Sequence, residues 1–163
     1  MKQTIRIGND PVLRKVAAVV EHAELAPQQM QATIDALFET MESADGLGLA
    51  APQVGLSKRI VIVVQGKKAI CLVNPEFTPI GTERELGEEG CLSFPGLFGK
   101  VARFKRITVK ALGRTGEPLN FTAEDMDARV IQHEIDHLNG VLLPDRLKEK
   151  EEAPAARSDG RSL

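Results

Sequence analysis

Between Val130 and Gly140 the chain reads VIQHEIDHLNG, and this stretch does most to limit what the chain can fold into. On a helix, at about 100° per residue, His133 and His137 fall within about 40° of each other, so both imidazoles can reach one ion. Met126 and Val130 continue that face toward the N-terminus, and Glu134 lies beside it. Ala128, Ile131, Ile135 and Leu138 form a separate apolar stripe on the far side. The helix therefore has two working faces. One is a core face; the other joins two imidazoles able to hold a metal to an apolar patch. Two histidines buried in an ordinary core are the bland alternative. The chain holds 3 histidines in all, and two of them stand in this register with a glutamate between, which favours the metal.

The rest of the chain supplies strands for that helix to pack on. Asp10-Pro11 before VLRKVA reads as a short capped helix. Met30, Ile34, Leu37, Phe38 and Met41 form one stripe of an amphipathic helix that ends at Asp45-Gly46. GLGLAAPQVG is too irregular for a helix. RIVIVV and AICLVNPEF read as two strands of a hairpin across Gln65-Gly66-Lys67. ERELGEEGCLSFPG reads as loop, with Phe98 in the loop after it. KRITVKAL alternates as a strand does, and LNFT is its returning partner. Thr122-x-x-Asp125 resembles a capping box opening the last helix, and Asn139-Gly140 closes it. The order predicts an α+β domain, with largely antiparallel sheet packed around a helix in the C-terminal region that carries HExxH. Residues 1–147 are expected to form the catalytic domain, and 148–163, charged and then small and polar, a disordered tail.

A length of 163 residues fits one domain. A net charge of −2 gives no reason to expect nucleic-acid or membrane binding. No apolar run has transmembrane length, and the N-terminus has no signal-peptide core. A cytoplasmic monomer is the expectation, although a chain trimmed after import would look the same. Cys71 and Cys91 read as thiols rather than a disulfide in such a chain.

Two histidines do not complete a catalytic site, which needs a third protein ligand and an open position. No histidine follows His137. Asp145 and the glutamates of the tail lie beyond the helix end, and His22 lies far upstream in a polar connection. Cys91 is the better candidate: it sits in EEGCLSFPG, an ill-suited place for a packing cysteine, and thiolate sulfur is a strong ligand for zinc or ferrous iron. Cys71 alternates with Ile70 and Leu72 in a strand and reads as core packing.

GLGLAAPQ (Gly46 to Gln53), EGCLS (Glu89 to Ser93) and QHEIDH (Gln132 to His137) resemble, in this order, the three motifs of bacterial peptide deformylases. Each motif alone is weak, and the three together are specific; the similarity runs from about Asp10 to Leu147. The resemblance implies an α+β fold, with Cys91, His133 and His137 on one divalent metal ion per chain. In the family that ion is typically ferrous iron, with zinc, nickel or cobalt as substitutes. It implies removal of the formyl group from N-formylmethionyl peptides on nascent chains, at or near the ribosome surface. It also implies that the Gln53 side-chain amide and the Leu92 backbone N–H stabilise the oxyanion, with Glu134 as the proton carrier. Gly46 and Gly48 leave room for a peptide to lie as an added strand beside the metal, with Glu89 and Asp136 as supporting carboxylates. Met126 and Val130 are expected to wall an apolar slot for the methionine side chain, with Leu92 and Leu47 opposite. A metalloendopeptidase and a structural Cys-His-His module are the competing readings. The first would need an extended groove and usually a third ligand other than Cys. The second would need a fourth ligand and no base.

Overall fold

The computed structural model describes residues 1–152, with side chains through 148. Its elements run α1 (His22–Leu25), α2 (Gln28–Ser43), β1 (Gly48–Ala50), β2 (Ile60–Gln65), β3 (Lys68–Pro79), β4 (Arg84–Cys91), β5 (Phe94–Phe104), β6 (Arg106–Leu112), β7 (Pro118–Glu124), α3 (Asp125–Leu138) and α4 (Leu143–Glu152). A 3₁₀ turn over Pro11–Arg14 is capped by the Asp10 side chain, which accepts from Val12 N.

A five-stranded sheet in the order β1-β2-β3-β6-β7 is antiparallel throughout, and β4-β5 form a separate two-stranded antiparallel sheet. The α+β expectation holds. Residues Ile60 to Val63 of β2 are all fully buried, as a strand covered on both faces must be. Their alternation explains the layering. Val61 and Val63 face one core with Leu72, Ile107 and Val109, into which α3 sends Ala128, Ile131, Ile135 and Leu138. Ile60 and Ile62 face the other core, into which α2 sends Ile34, Leu37 and Met41. The sheet is thus sandwiched between α2 and α3. Each of the Val, Leu, Ile and Met side chains among these, once fully buried, contributes about 1.5–3 kcal/mol of transfer free energy.

GLGLAAPQVG, expected to be no regular helix, forms edge strand β1 and a 3₁₀ turn over Ala51–Val54. Other expectations need correction. ERELGEEGCLSFPG is not a loop but most of the β4-β5 hairpin, and Phe98 lies in β5 opposite Gly90. Glu89 is the single buried residue of β4, so the strand has no apolar alternation for a sequence reading to detect. Thr122 does not cap α3, because β7 continues through it to Glu124; the helix starts without a side-chain cap, at Asp125 with φ 50°. The helix does end at Asn139 and Gly140, where φ is 71° and a Cβ would meet the backbone of Arg14. Lastly, α4 carries helical backbone through Glu152, into the stretch where the sequence reading starts the tail. Leu142 N donates to Asp145 Oδ2 at 2.8 Å, a cap that starts this helix, and Asp145 also pairs with Arg14. The remainder of the expected tail, 153–163, lies outside the described residues.

Candidate active site

Two elements meet to build the site. Helix α3 presents His133 and His137, and β4 ends on Cys91, where the Leu92-Ser93 turn begins and the β4-β5 register shifts. Such irregularities re-aim a side chain at the end of a ladder. One ligand atom each from Cys91, His133 and His137 lie within 4.8 Å of one another, with Cys91 Sγ 3.3 Å from His137 Nε2. His22 is elsewhere, its ring against Gly116, and Asp145 is held by Arg14, so neither competes as a ligand. Cys71 is buried in the α2-side core, and burial pushes its thiol up to about 12.

The supporting carboxylates are ordered by arginines. His133 Nδ1 and Glu89 Oε2 are 2.9 Å apart, and a ring whose Nδ1 donates to a carboxylate keeps its Nε2 lone pair for a cation. Burial alone would raise the Glu89 carboxyl, but hydrogen bonds from His133 and Arg103 outweigh it and hold it at about 2. Arg103 reaches both Glu89 oxygens, at 2.8 and 3.0 Å, and Asp136 Oδ2 at 2.6 Å. Arg146 of α4 donates to both Asp136 oxygens, from Nε to Oδ2 and from Nη2 to Oδ1. Asp136 is therefore a buried partner of two arginines.

Glu134 is buried, and desolvation raises its carboxyl to about 7. Its Oε2 has no hydrogen-bond partner among the described residues, and neither has His137 Nδ1. A Cβ on Gly48 would run into the Glu134 carboxylate, and a Cβ on Gly46 would sit 3.0 Å from Leu92 Cδ1. These glycines thus make room for the site's own side chains. Gln53 is fixed at both ends of its amide: Oε1 accepts from Ala50 N at 2.9 Å, and Nε2 donates to Ser93 Oγ at 3.1 Å, with Cys91 Sγ at 3.8 Å.

A cleft of about 510 Å³ opens over this floor. Every ligand, catalytic or substrate-side residue proposed from sequence lines it except His137, which lies buried behind: Gly46, Leu47, Gly48, Gln53, Cys91, Leu92, Met126, Val130, His133 and Glu134. Two contributors have contacts here that the sequence reading did not give them, Ser93 on Gln53 and Arg129 on Glu89, and Phe98 packs its ring over Gly90. Arg129 stands four residues before His133 on α3, which was a readable signal; nothing in the sequence indicates Ser93 as a partner of Gln53.

The sequence model of the polypeptide deformylase family matches residues 2–153. The chain belongs to this family. It is 47% identical over 143 residues to a peptide deformylase of Thermotoga maritima, covering 88% of this chain and 85% of the relative. It is 49% identical over 146 residues to one from Halothermothrix orenii, covering 88% and 92%. The crystal structure of a Thermotoga maritima peptide deformylase superposes with a TM-score of 0.84 at 45% identity, covering 90% of this chain and 98% of that one. A class I type b peptide deformylase of Acinetobacter baumannii, solved with Met-Ala-Ser bound, gives 0.86 at 37% identity, covering 90% and 99%. The chain is accordingly a hydrolase that removes the N-formyl group from nascent polypeptides. The endopeptidase and structural-module readings fall with that assignment.

Proposed function

We propose that Cys91, His133 and His137 hold one divalent cation per chain, ferrous iron in the cell, with zinc, nickel or cobalt able to replace it. The donor set fits: one sulfur and two imidazole nitrogens converge within 4.8 Å, and three ligands leave a position open. When bound, the cation supplies Lewis acidity that makes water a nucleophile near neutral pH. Glu134 takes a proton from the attacking water and returns it to the departing amine nitrogen, so that the formamide and water become formate and a free α-amine. Gln53 Nε2 and the Leu92 backbone N–H donate to the formyl oxygen as negative charge builds on it. The hydrogen bond from Ala50 N keeps the amide of Gln53 the right way round for this.

The substrate backbone lies as an added strand along β1, an edge strand bonded only to β2 in its sheet. The methionine side chain enters the slot walled by Met126, Val130, Leu92 and Leu47. The enzyme works in the cytoplasm as a monomer and meets formylmethionyl chains at the ribosome surface, without contacting nucleic acid directly. A net charge of −2 and the lack, among the described residues, of a helix able to cross a membrane accord with this.

The observation that carries the reading is the three-ligand cluster beside a buried, unpartnered Glu134 on the floor of the cleft. The test is formate release from formyl-Met-Ala, with and without chelator, on wild type and Cys91→Ser. Formate release should stop with chelator and should be lost, together with the metal, in Cys91→Ser. Undiminished metal content in Cys91→Ser would overturn the ligand set.

A further inference from the structure

The β4-β5 hairpin delivers Cys91, yet it enters neither main hydrophobic core with a fully buried side chain. Its buried residues are Glu89, Ser93, Val101 and Arg103, only one of them apolar, so its joint with α3 is built largely from polar and charged groups. Arg129 of α3 occupies that joint and is itself 7% exposed. Its Nη1 donates to Glu89 Oε1 at 2.9 Å, to Val101 O at 2.8 Å and to Gly87 O at 3.3 Å, and its Nη2 donates to Glu85 O at 2.7 Å. One guanidinium from the helix thus binds three backbone carbonyls of the hairpin and the carboxylate between them. Gly87 is shaped to this: a Cβ there would lie 2.7 Å from Arg129 Nη2. On the helix, Arg129 and His133 are one turn apart and meet the same carboxylate, at Oε1 and Oε2 respectively.

We propose that Arg129 is a positioning residue for the metal centre: it locks the β4-β5 hairpin onto α3, and so fixes Cys91 against the two histidines and Glu89 against His133. This rests on reading Cys91, His133 and His137 as the ligands of one cation. Arg129 touches neither the ligand atoms nor the formyl group in this role and acts through Glu89 and the hairpin backbone. A guanidinium does what an ammonium cannot here, since its fixed fork serves several acceptors at once. Outer partners of this kind typically govern metal affinity by 10–100-fold.

The test is a titration of metal-free protein with Co²⁺, read by visible absorption and by the sulfur-to-cobalt charge-transfer band. Arg129→Met should bind Co²⁺ about 10–100-fold more weakly, with a shifted charge-transfer band. Gly87→Ala keeps every charge and pushes the guanidinium aside, so it should move both readouts in the same direction. Ile34→Ala, in the core beneath α2, serves as the stability control and should lower Tm without altering either readout. A folded Arg129→Met that binds Co²⁺ as wild type does, with an unshifted band, overturns the proposal. If Arg129→Met does not fold, Gly87→Ala decides on the same two readouts. Cys91→Ser in the same titration judges the ligand reading separately: wild-type binding there removes that reading, whereas loss of binding there with an unaffected Arg129→Met removes only the role of Arg129.

Discussion

A buried carboxylate oxygen without a hydrogen-bond partner costs a folded chain about 1–3 kcal/mol, so Glu134 is kept for something other than stability. Glu134→Ala is expected to keep fold and metal and to lose at least about a hundredfold in kcat, measured by formate release beside metal analysis; retention of more than about a tenth of the rate would contradict the proton-carrier role. Gly48→Ala reaches the same group from the other side. Its Cβ would occupy the Glu134 carboxylate's place, and misplacement of a reacting group by about 1 Å can cost about a hundredfold. The expected result is a large fall in kcat with little change in bound metal, and an unchanged kcat would show that the carboxylate tolerates the push. These residues were unevenly legible in the sequence as site candidates. Cys91 and Cys71 could be told apart because one interrupts a glycine-rich stretch and the other alternates in a strand. The link between Gly48 and Glu134 could not be read, because 86 positions separate them and only the packing of β1 against α3 brings them together.

At the scale of elements, apolar periodicity made α2, β2, β3, β6 and the two faces of α3 readable, because each of them buries a stripe or a strand face. The hairpin was unreadable for the converse reason: it is held by Glu89, Arg103 and Arg129, and charge carries no periodic signature. That joint has a pH dependence of definite sign. Glu89 sits at about 2 in the folded chain against an ordinary 4.5, so its ionised form is favoured by folding. Its contribution is complete above about pH 4.5 and is lost as pH falls toward 2. Glu89→Gln should therefore be less stable than wild type at neutral pH and lose less on acidification, by denaturant titration between those limits; parallel acid limbs would remove Glu89 from the account. The other face of α3 is the one proposed to select the substrate. Met126 and Val130 line the cleft beside His133, and a buried methylene is worth roughly 0.8 kcal/mol, so formyl-Met-Ala should exceed formyl-Gly-Ala by about a hundredfold or more in kcat/KM. Val130→Asp should erode that ratio and leave bound metal nearly unchanged, since a desolvated carboxylate finds no partner in an apolar slot. An identical ratio in both proteins would place the methionine elsewhere.

Across the whole molecule, the five-stranded sheet with α2 and α3 is one packed body, and the β4-β5 hairpin is a second piece attached to it largely through polar contacts, with Leu92 and Phe104 touching the cores. The proposed ligands come from both: Cys91 from the hairpin, His133 and His137 from the helix in the core. A cation on these three therefore acts as a cross-link between pieces that hydrophobic burial joins only weakly. Any ligand that binds the folded chain alone stabilises it by mass action, about 2.7 kcal/mol at a hundredfold excess over Kd. In a chain of this length that corresponds to roughly 2–4 °C of Tm for each kcal/mol. Removing the metal should thus lower Tm by several degrees, and the loss should not be uniform. Amide exchange should accelerate first in Arg84–Phe104, while β2 and β3, buried on both faces, keep their protection until global unfolding. Hydrogen-exchange mass spectrometry on holo and chelated protein measures this directly. Equal acceleration in the hairpin and in the central strands would mean that the metal stabilises the molecule as a single unit, and that the ionic joint is as firm as the core.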